Sequence, residues 1–193
     1  MTNDIENIIE NLSLDKKINL EDIPELDLYM DQVIQLFENK LSVLKRKEED
    51  KVLTKTMINN YAKAKLLMSI KNKKYSKEHL ILMSLIYDLK GALSINDIKL
   101  TLDDIVKKYE NNEEYDLRSL YKTYLEMNSE DINEFREYIN DKEENLKSLL
   151  DKNNISGEFE EKFLLVCSMI SMSNMYRRMG EALIDKYFME DEK

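Results

Sequence analysis

The chain of 193 residues carries 29 basic and 39 acidic side chains, a formal net charge of −10, and has three glycines and one proline. This composition favours an almost entirely helical protein, because glycine and proline are the residues that interrupt helices. The single cysteine excludes an intramolecular disulfide and a cysteine-cluster metal site. No segment offers about 18 uninterrupted apolar residues for a transmembrane helix, and the N-terminus lacks the features of a secretory signal. We therefore expect a soluble cytoplasmic protein.

The first 21 residues contain one short amphipathic segment, which we interpret as a docking helix or a frayed arm. Pro24 stands where a helix can begin, and the apolar spacing that follows predicts a helix from about Leu26 to Leu44. Residues 45–51, KRKEEDK, contain no apolar side chain and are typical of a loop or an exposed helix end.

Residues 54–77, called the basic segment below, differ in charge from the rest of the chain. They contain seven lysines and no acid, whereas the remainder has 22 basic and 39 acidic residues. The lysines are Lys55, Lys63, Lys65, Lys71, Lys73, Lys74 and Lys77. A local excess of lysine is typical of a surface that contacts phosphates. Charge alone is equally compatible with a solvated lysine-rich face.

The hydrophobic pattern divides the basic segment into a helix and a small wing. Thr54 is placed to cap a helix, and apolar residues at positions 57, 58 and 61 then share one face. The opposite face is polar without acids. It presents Lys55, Thr56, Asn59, Asn60 and Lys63. An apolar run at 66–70 and a polar turn at 71–74 predict a short hairpin, the wing, before Ser76 caps the next helix.

The rest of the chain is predicted to be helical. A largely buried helix spans Lys77 to Leu89 and stops at Gly91, and Ser94 caps the following one. After an acidic loop at 110–116 we expect three helices, at 117–127, 130–152 and 157–189. The last contains an uncharged stretch, Phe163 to Tyr176. A helix that is apolar nearly all round is expected to be buried by its own domain or by a second subunit.

Four pieces of the sequence occur in the order of the MerR-type winged helix-turn-helix. They are TKTMINNY at 54–61, LL at 66–67, KKYS at 73–76 and LSINDIK at 93–99. Together with DLYMDQV at 27–33, the segment LTKTMINNY at 53–61 resembles the bacterial domain-of-unknown-function family 1836, itself similar to MerR-type DNA-binding domains. The likeness covers about residues 22–102. The chain departs from the MerR pattern where Lys65 replaces a glycine and where residues 33–53 are about a dozen longer than the usual turn.

The resemblance implies a function and a set of contact residues. It implies an all-α protein with a MerR-like winged helix-turn-helix at 22–108 and a small β wing, preceded by an arm at 1–21 and followed by a C-terminal helical bundle at 109–193 for effector sensing or dimerisation. The expected partners are double-stranded DNA and a second copy of the chain, with no membrane and no cofactor or metal. The DNA-contacting residues would be Lys55, Thr56, Asn59, Asn60, Lys63, Lys71, Lys73 and Lys74.

Two other functional classes were weighed against DNA binding. An enzyme is not expected, because the lone histidine, His79, has no partner at metal-binding spacing and no glycine-rich phosphate loop is present. A non-enzymatic protein-interaction adaptor that kept the helix-turn-helix scaffold but lost DNA binding is the alternative. The net charge of −10 favours the adaptor, since overall repulsion weakens binding to DNA.

Overall fold

A computed structural model describes residues 2–189, and nearly all of their regular structure is helical, as the composition predicts. The described part contains seven α-helices and one two-stranded sheet. The helices are α1 (Thr2–Asn11), α2 (Met30–Leu41), α3 (Lys55–Lys63), α4 (Lys77–Leu89), α5 (Ile95–Glu110), α6 (Leu117–Lys152) and α7 (Glu158–Tyr187). The strands are β1 (Leu28–Tyr29) and β2 (Lys74–Tyr75).

One hydrophobic core contains buried apolar side chains from residue 18 to residue 121. Helix α4 lies at its centre, since Leu80, Ile81, Leu82, Met83 and Ile86 are all fully buried. The apolar faces of α2, α3 and α5 contribute to the same core, and the first turns of α6 complete it with Leu117 and Tyr121. The predicted burial of the helix at 77–89 is confirmed, because few of its positions face solvent.

The segment before α2 does not begin a helix at Pro24. Residues 24–27 are loop, and Leu26 is 79% exposed although it would open the predicted helix. The helix starts at Met30 and ends at Leu41, followed by a 3-10 turn, Ser42–Leu44. The prediction of a helix over 26–44 was therefore wrong at its N-terminal end, because residues 28 and 29 are used instead as a strand.

The sheet is formed by two strands that are distant in the sequence. β1 and β2 pair antiparallel, with Leu28 opposite Tyr75 and Tyr29 opposite Lys74. The predicted hairpin is present only as a tight turn at 71–74, with one bridge between Lys71 and Lys74. The pairing ties the entrance of α2 to the exit of the basic segment, which determines the geometry of the site below.

The C-terminal half contains two helices where the sequence predicted three. The expected break at 128–129 was wrong, and α6 continues from residue 117 to residue 152, about 54 Å at 1.5 Å per residue. Its apolar residues Leu125, Ile132 and Phe135 follow one another at intervals of seven and three, a helical spacing, so the side-chain pattern does not require an interruption. α6 and α7 pack against each other, and α7 returns to contact α5.

A second, smaller cluster fastens α1 to this pair. Ile5 and Ile9 of α1 are buried with Ile139 of α6, and Leu165 and Met169 of α7 pack against them. The amphipathic segment at the N-terminus is therefore a helix that docks onto α6.

Of the two expectations for the uncharged stretch of α7, burial by its own domain was wrong, and burial by a second subunit stays a prediction. Within the uncharged stretch, six large apolar side chains are more than one-third exposed. They are Phe163, Leu164, Val166, Ile170, Met175 and Tyr176. α6 and α1 cover one side of the N-terminal half of α7. α7 also contacts α5, and Ile184 is buried near its C-terminal end. Most of the helix circumference is exposed among the residues that the structure describes.

Candidate nucleic-acid interface

Helix α3 has the cap and the two faces that its sequence predicts. The Thr54 hydroxyl accepts a hydrogen bond from the backbone N–H of Met57 at 3.2 Å, which satisfies one of the free donors at the helix start. Ile58 and Tyr61 are buried in the core. The opposite face is open to solvent. All five predicted contact residues of the helix lie on it and are exposed: Lys55, Thr56, Asn59, Asn60 and Lys63.

Lys65 ends α3 in the left-handed region, with φ of 60°. Its N–H donates to the carbonyl of Ala62 at 3.1 Å, and the N–H of Leu66 donates to the carbonyl of Tyr61 at 3.0 Å. This pair of bonds is the Schellman arrangement, in which glycine is the preferred residue at the left-handed position. Lysine adopts this conformation at a cost of about 1–2 kcal/mol, so the chain keeps an exposed cation where the backbone favours glycine.

The turn of the wing also holds a lysine in the left-handed region. The central residues, Asn72 and Lys73, have φ of 53° and 59°, and the N–H of Lys74 donates to the carbonyl of Lys71 at 3.0 Å. Positive φ at both central positions is the pattern of a type I′ turn, for which Asn-Gly is the favoured pair. Asparagine tolerates the left-handed region, but lysine does so poorly. Lys71 and Lys73 are both exposed at the tip of this turn.

The base of the wing is attached to the core through buried and half-buried polar contacts. The backbone N–H of Ser76 donates to Nδ1 of His79 at 3.2 Å, so the proton lies on Nε2, which donates to the carbonyl of Met68 at 3.3 Å. The hydroxyl of Ser69 donates to Glu110 of α5 at 3.1 Å. His79 lies in the first turn of α4, where its ring takes part in the cap, and it is 7% exposed.

Burial lowers the pKa of His79 below its usual 6.5, opposed by the carbonyl of Met68 and by the charges of Glu78, Asp27 and Glu110. Desolvation dominates because an imidazolium would lose its hydration inside the core. The neutral ring is therefore the form that fits the folded wing, and its Nδ1 is available as the acceptor that the Ser76 N–H needs.

Contacts around Asp31 bring the wing and the start of α3 together. Asp31, in the first turn of α2, forms an ion pair with Lys55 at 2.7 Å. The same aspartate lines a depression of about 430 Å³ with Tyr29, Lys73 and Tyr75. The ammonium of Lys74 lies 5.2 Å from the centre of the Tyr29 ring, within cation–π range. The structure thus gathers Lys55, Lys73 and Lys74 around the N-terminus of α2.

The lysines of the basic segment differ in whether an acidic side chain of the same chain forms an ion pair with them. Lys77 is paired with Glu25 at 2.7 Å and its side chain is only 10% exposed, so it belongs to the fold and not to the open surface. Lys55 is paired with Asp31. Among the described residues, no ion pair within 4.0 Å involves the other exposed lysines of the segment. These are Lys63, Lys65, Lys71 and Lys73.

Sequence reasoning did not single out Tyr29, Asp31 and Lys65 as members of this surface. Tyr29 and Asp31 stand more than 20 positions before the basic segment, and only the pairing of β1 with β2 brings them beside it. Lys65 was counted among the lysines but not among the contact residues. Its replacement of a glycine was the available signal, because such a position predicts a left-handed backbone.

A comparison with protein-family models matches residues 18–124 to the Domain of unknown function (DUF1836). This match spans more than half of the 193 residues. The chain belongs to the DUF1836 family. The DUF1836 match includes the whole basic segment and coincides closely with the first hydrophobic core, residues 18–121. Helix α1, most of α6 and all of α7 lie outside it.

Searches of curated proteins and of solved structures give no match. Among the described residues, no helix combines the length and the apolar character needed to cross a membrane.

Proposed function

We propose that this DUF1836 protein is a DNA-binding transcriptional regulator whose residues 22–108 act as a MerR-like winged helix-turn-helix. In this arrangement α3 enters the major groove and the wing at 68–75 contacts the adjacent phosphate backbone. Asn59 and Asn60 are placed to hydrogen-bond base edges, and the lysines to neutralise phosphates.

The observation that carries the proposal is the position of two lysines where glycine would be more stable. Lys65 follows α3 and Lys73 lies at the tip of the wing, and both have positive φ and are exposed. A residue held in an unfavourable backbone conformation points to a function that requires its side chain. Here the side chain supplies a positive charge on a chain whose net charge is −10.

The topology supports the same mode of contact. β1 leads into α2, the connection at 42–54 leads into α3, and the turn at 71–74 returns through β2 to pair with β1. The start of α3 and the turn lie near each other at Asp31, which pairs with Lys55 and lines one depression with Lys73. The connection between α2 and α3 is longer than the usual helix-turn-helix turn. Most of the extra length forms a loop, which Lys90 holds by donating to the carbonyl of Val52 at 3.3 Å.

The first test compares two triple alanine variants in a fluorescence-anisotropy titration with a pool of genomic duplexes. One variant removes Lys63, Lys71 and Lys73, and the control removes three exposed lysines elsewhere, Lys16, Lys122 and Lys152. Both lose the same net charge. If the three surface lysines each contact a phosphate, the first variant binds about 500-fold more weakly at 0.1 M salt, and its salt slope decreases by about 2.7.

The control variant is expected to keep nearly the wild-type affinity and slope. Equal weakening in both variants would mean that total charge, and not this face, determines binding. Absence of binding by the wild type at low salt would reject the DNA function. Specific recognition is tested by changing Asn59 or Asn60 to alanine, with an expected loss of about 1–3 kcal/mol at a single base pair of the bound site.

A protein-interaction adaptor remains the second candidate because of Asp31. Its carboxylate is exposed at the centre of the surface, 2.7 Å from the ammonium of Lys55. An acid at this place repels phosphates and reduces the charge available to DNA. A protein partner that offers its own cation to Asp31 and its own acids to the lysines would match the mixed charges better. The two functions differ in their response to removal of Asp31, which is developed in the Discussion.

A further inference from the structure

The N-terminal half of α7 carries an apolar stripe that is exposed in the described part of the chain. Phe159, Phe163, Val166 and Ile170 are 73%, 55%, 61% and 59% exposed. Their spacing of four, three and four residues places them on one face, because each residue turns the helix by about 100°. The face that α6 and α1 cover is a different one, containing Leu165 and Met169.

The exposed face continues beyond Ile170 but becomes polar. Ser173 and Arg177 follow at the same spacing, and both are exposed. The face then becomes covered, since Ile184 is buried at the end that contacts α5. The open stripe therefore runs from Phe159 to Arg177, about 27 Å long, and its midpoint is residue 168.

We propose that this stripe is the contact surface for a second copy of the chain, with the two α7 helices packed antiparallel around a two-fold axis near residue 168. The inference is independent of DNA binding, since it uses no residue of the basic segment. A two-fold interface buries the same patch on both subunits, and a stripe that is open over a length centred on one residue satisfies that condition.

The antiparallel register makes each end of the stripe meet a complementary partner. Residues equally distant from the axis face each other, so Val166 packs on Ile170 of the partner subunit. At the ends, the ring of Phe159 meets the guanidinium of the partner subunit's Arg177, a cation–π pair. Between these two pairs, Phe163 faces the partner's Ser173. The two-fold symmetry repeats each of the three pairs once, so six pairs account for the whole stripe.

A parallel pair in the same register is disfavoured by charge. It would place the acidic N-terminal turns, with Glu158, Glu160 and Glu161, side by side. It would also bring together the two Arg177 side chains, each of which is paired with Glu181 of its own helix. Like charges at close range repel, most strongly where water is excluded. The antiparallel pair separates both sets.

The area is sufficient for a specific contact. With fully exposed side chains of about 150–200 Å², the four apolar residues offer roughly 400–500 Å² per subunit. Adding the side chains at 173 and 177 brings the pair near the 1,000 Å² of total buried surface that a specific interface needs. A patch of this size matches the largest apolar patch on a typical monomer, and such patches often serve a function.

Disulfide trapping distinguishes the two orientations. Cys167 is the one cysteine of the chain and is exposed beside the stripe. In the antiparallel pair it lies one residue from the axis, so the two sulfurs are offset by only about 3 Å along the helices, compatible with a disulfide. In the double variant Cys167→Ser, Ser173→Cys, the introduced thiols are offset by about 15 Å and cannot bond.

Under mild oxidation the wild type is expected to give a covalent dimer, and the double variant a monomer on a non-reducing gel. In a parallel pair in the same register the double variant would cross-link instead, because position 173 lies on the stripe and the two introduced thiols would stand at the same height along the helices. That result would overturn the antiparallel arrangement. Two results together would overturn the dimer itself: absence of any cross-link in both proteins, and sedimentation that shows a monomer at every protein concentration up to about 100 μM.

A charged substitution in the stripe supplies the second readout. Ile170→Glu is expected to convert the dimer to a monomer in sedimentation equilibrium, with an increase of at least 100-fold in the dissociation constant. The matched control is Met175→Glu, because Met175 is equally exposed at 58% but lies away from the stripe. Both residues are exposed, so the helical circular dichroism of each monomer should be unchanged. Dissociation by Met175→Glu and not by Ile170→Glu would contradict the proposed surface.

Discussion

Replacing Lys73 with glycine should stabilise the fold and weaken DNA binding in the same molecule. Lys73 has φ of 59° at the second central position of the turn, next to Asn72. Removing a side chain from the left-handed region recovers about 1–2 kcal/mol, and the greater freedom of glycine in the unfolded chain offsets about 0.5–1 kcal/mol of that gain. The expected net change is a rise of about 0.5–1 kcal/mol in the free energy of unfolding.

The effect on DNA has the opposite sign. Loss of one phosphate contact reduces the salt slope by about 0.9 and the affinity by about 8-fold at 0.1 M salt. Stability is measured by urea unfolding followed by circular dichroism, and affinity by anisotropy with the same preparation. A gain of about 0.5–1 kcal/mol corresponds to a rise of about 1–4 °C in the midpoint of thermal unfolding for a chain of this size.

Lys71→Gly is the matched control for this prediction. It removes the same charge from the same turn, but Lys71 is not among the residues with positive φ. This control should therefore lose affinity to a similar extent while losing stability, since glycine in an extended position is destabilising by about 0.5–1 kcal/mol. Lower stability in the Lys73→Gly variant would refute the argument from backbone strain. Unchanged affinity in both variants would remove the turn from the DNA surface.

Two further changes test the surface and its attachment. Asp31→Asn should strengthen DNA binding about 8-fold at 0.1 M salt if it frees Lys55 for a phosphate; weaker or unchanged binding in the anisotropy titration would favour the adaptor. His79 has a pKa lowered by burial, so its contribution to stability is complete above pH 6.5 and is lost as the pH falls below that value, since protonation then favours the unfolded chain. Urea midpoints at pH 7.5 and 5.5 should differ more for the wild type than for His79→Gln, and equal differences would show that this ring does not link folding to pH.

The local features of α3 follow from residues close together in the sequence. Thr54 forms the predicted cap, and the spacing of Ile58 and Tyr61 identifies the buried face and, with it, the exposed one. Capping and helical periodicity act within one or two turns, so they can be recognised without knowing the rest of the fold. The same reasoning identified α4 and α5 with their correct starts after Ser76 and Ser94.

The partners of each element were decided by contacts between distant residues. Two-residue strands are too short to show an alternation, so the pairing of Leu28 with Tyr75 leaves no pattern to read. That pairing displaced the start of α2 and brought Asp31 to the lysines. The sequence determined that α7 is apolar on several sides, and it left open what covers them. Only the tertiary structure decided that α6, α1 and α5 cover part of the helix, because their lengths and directions leave the stripe from Phe159 to Arg177 open.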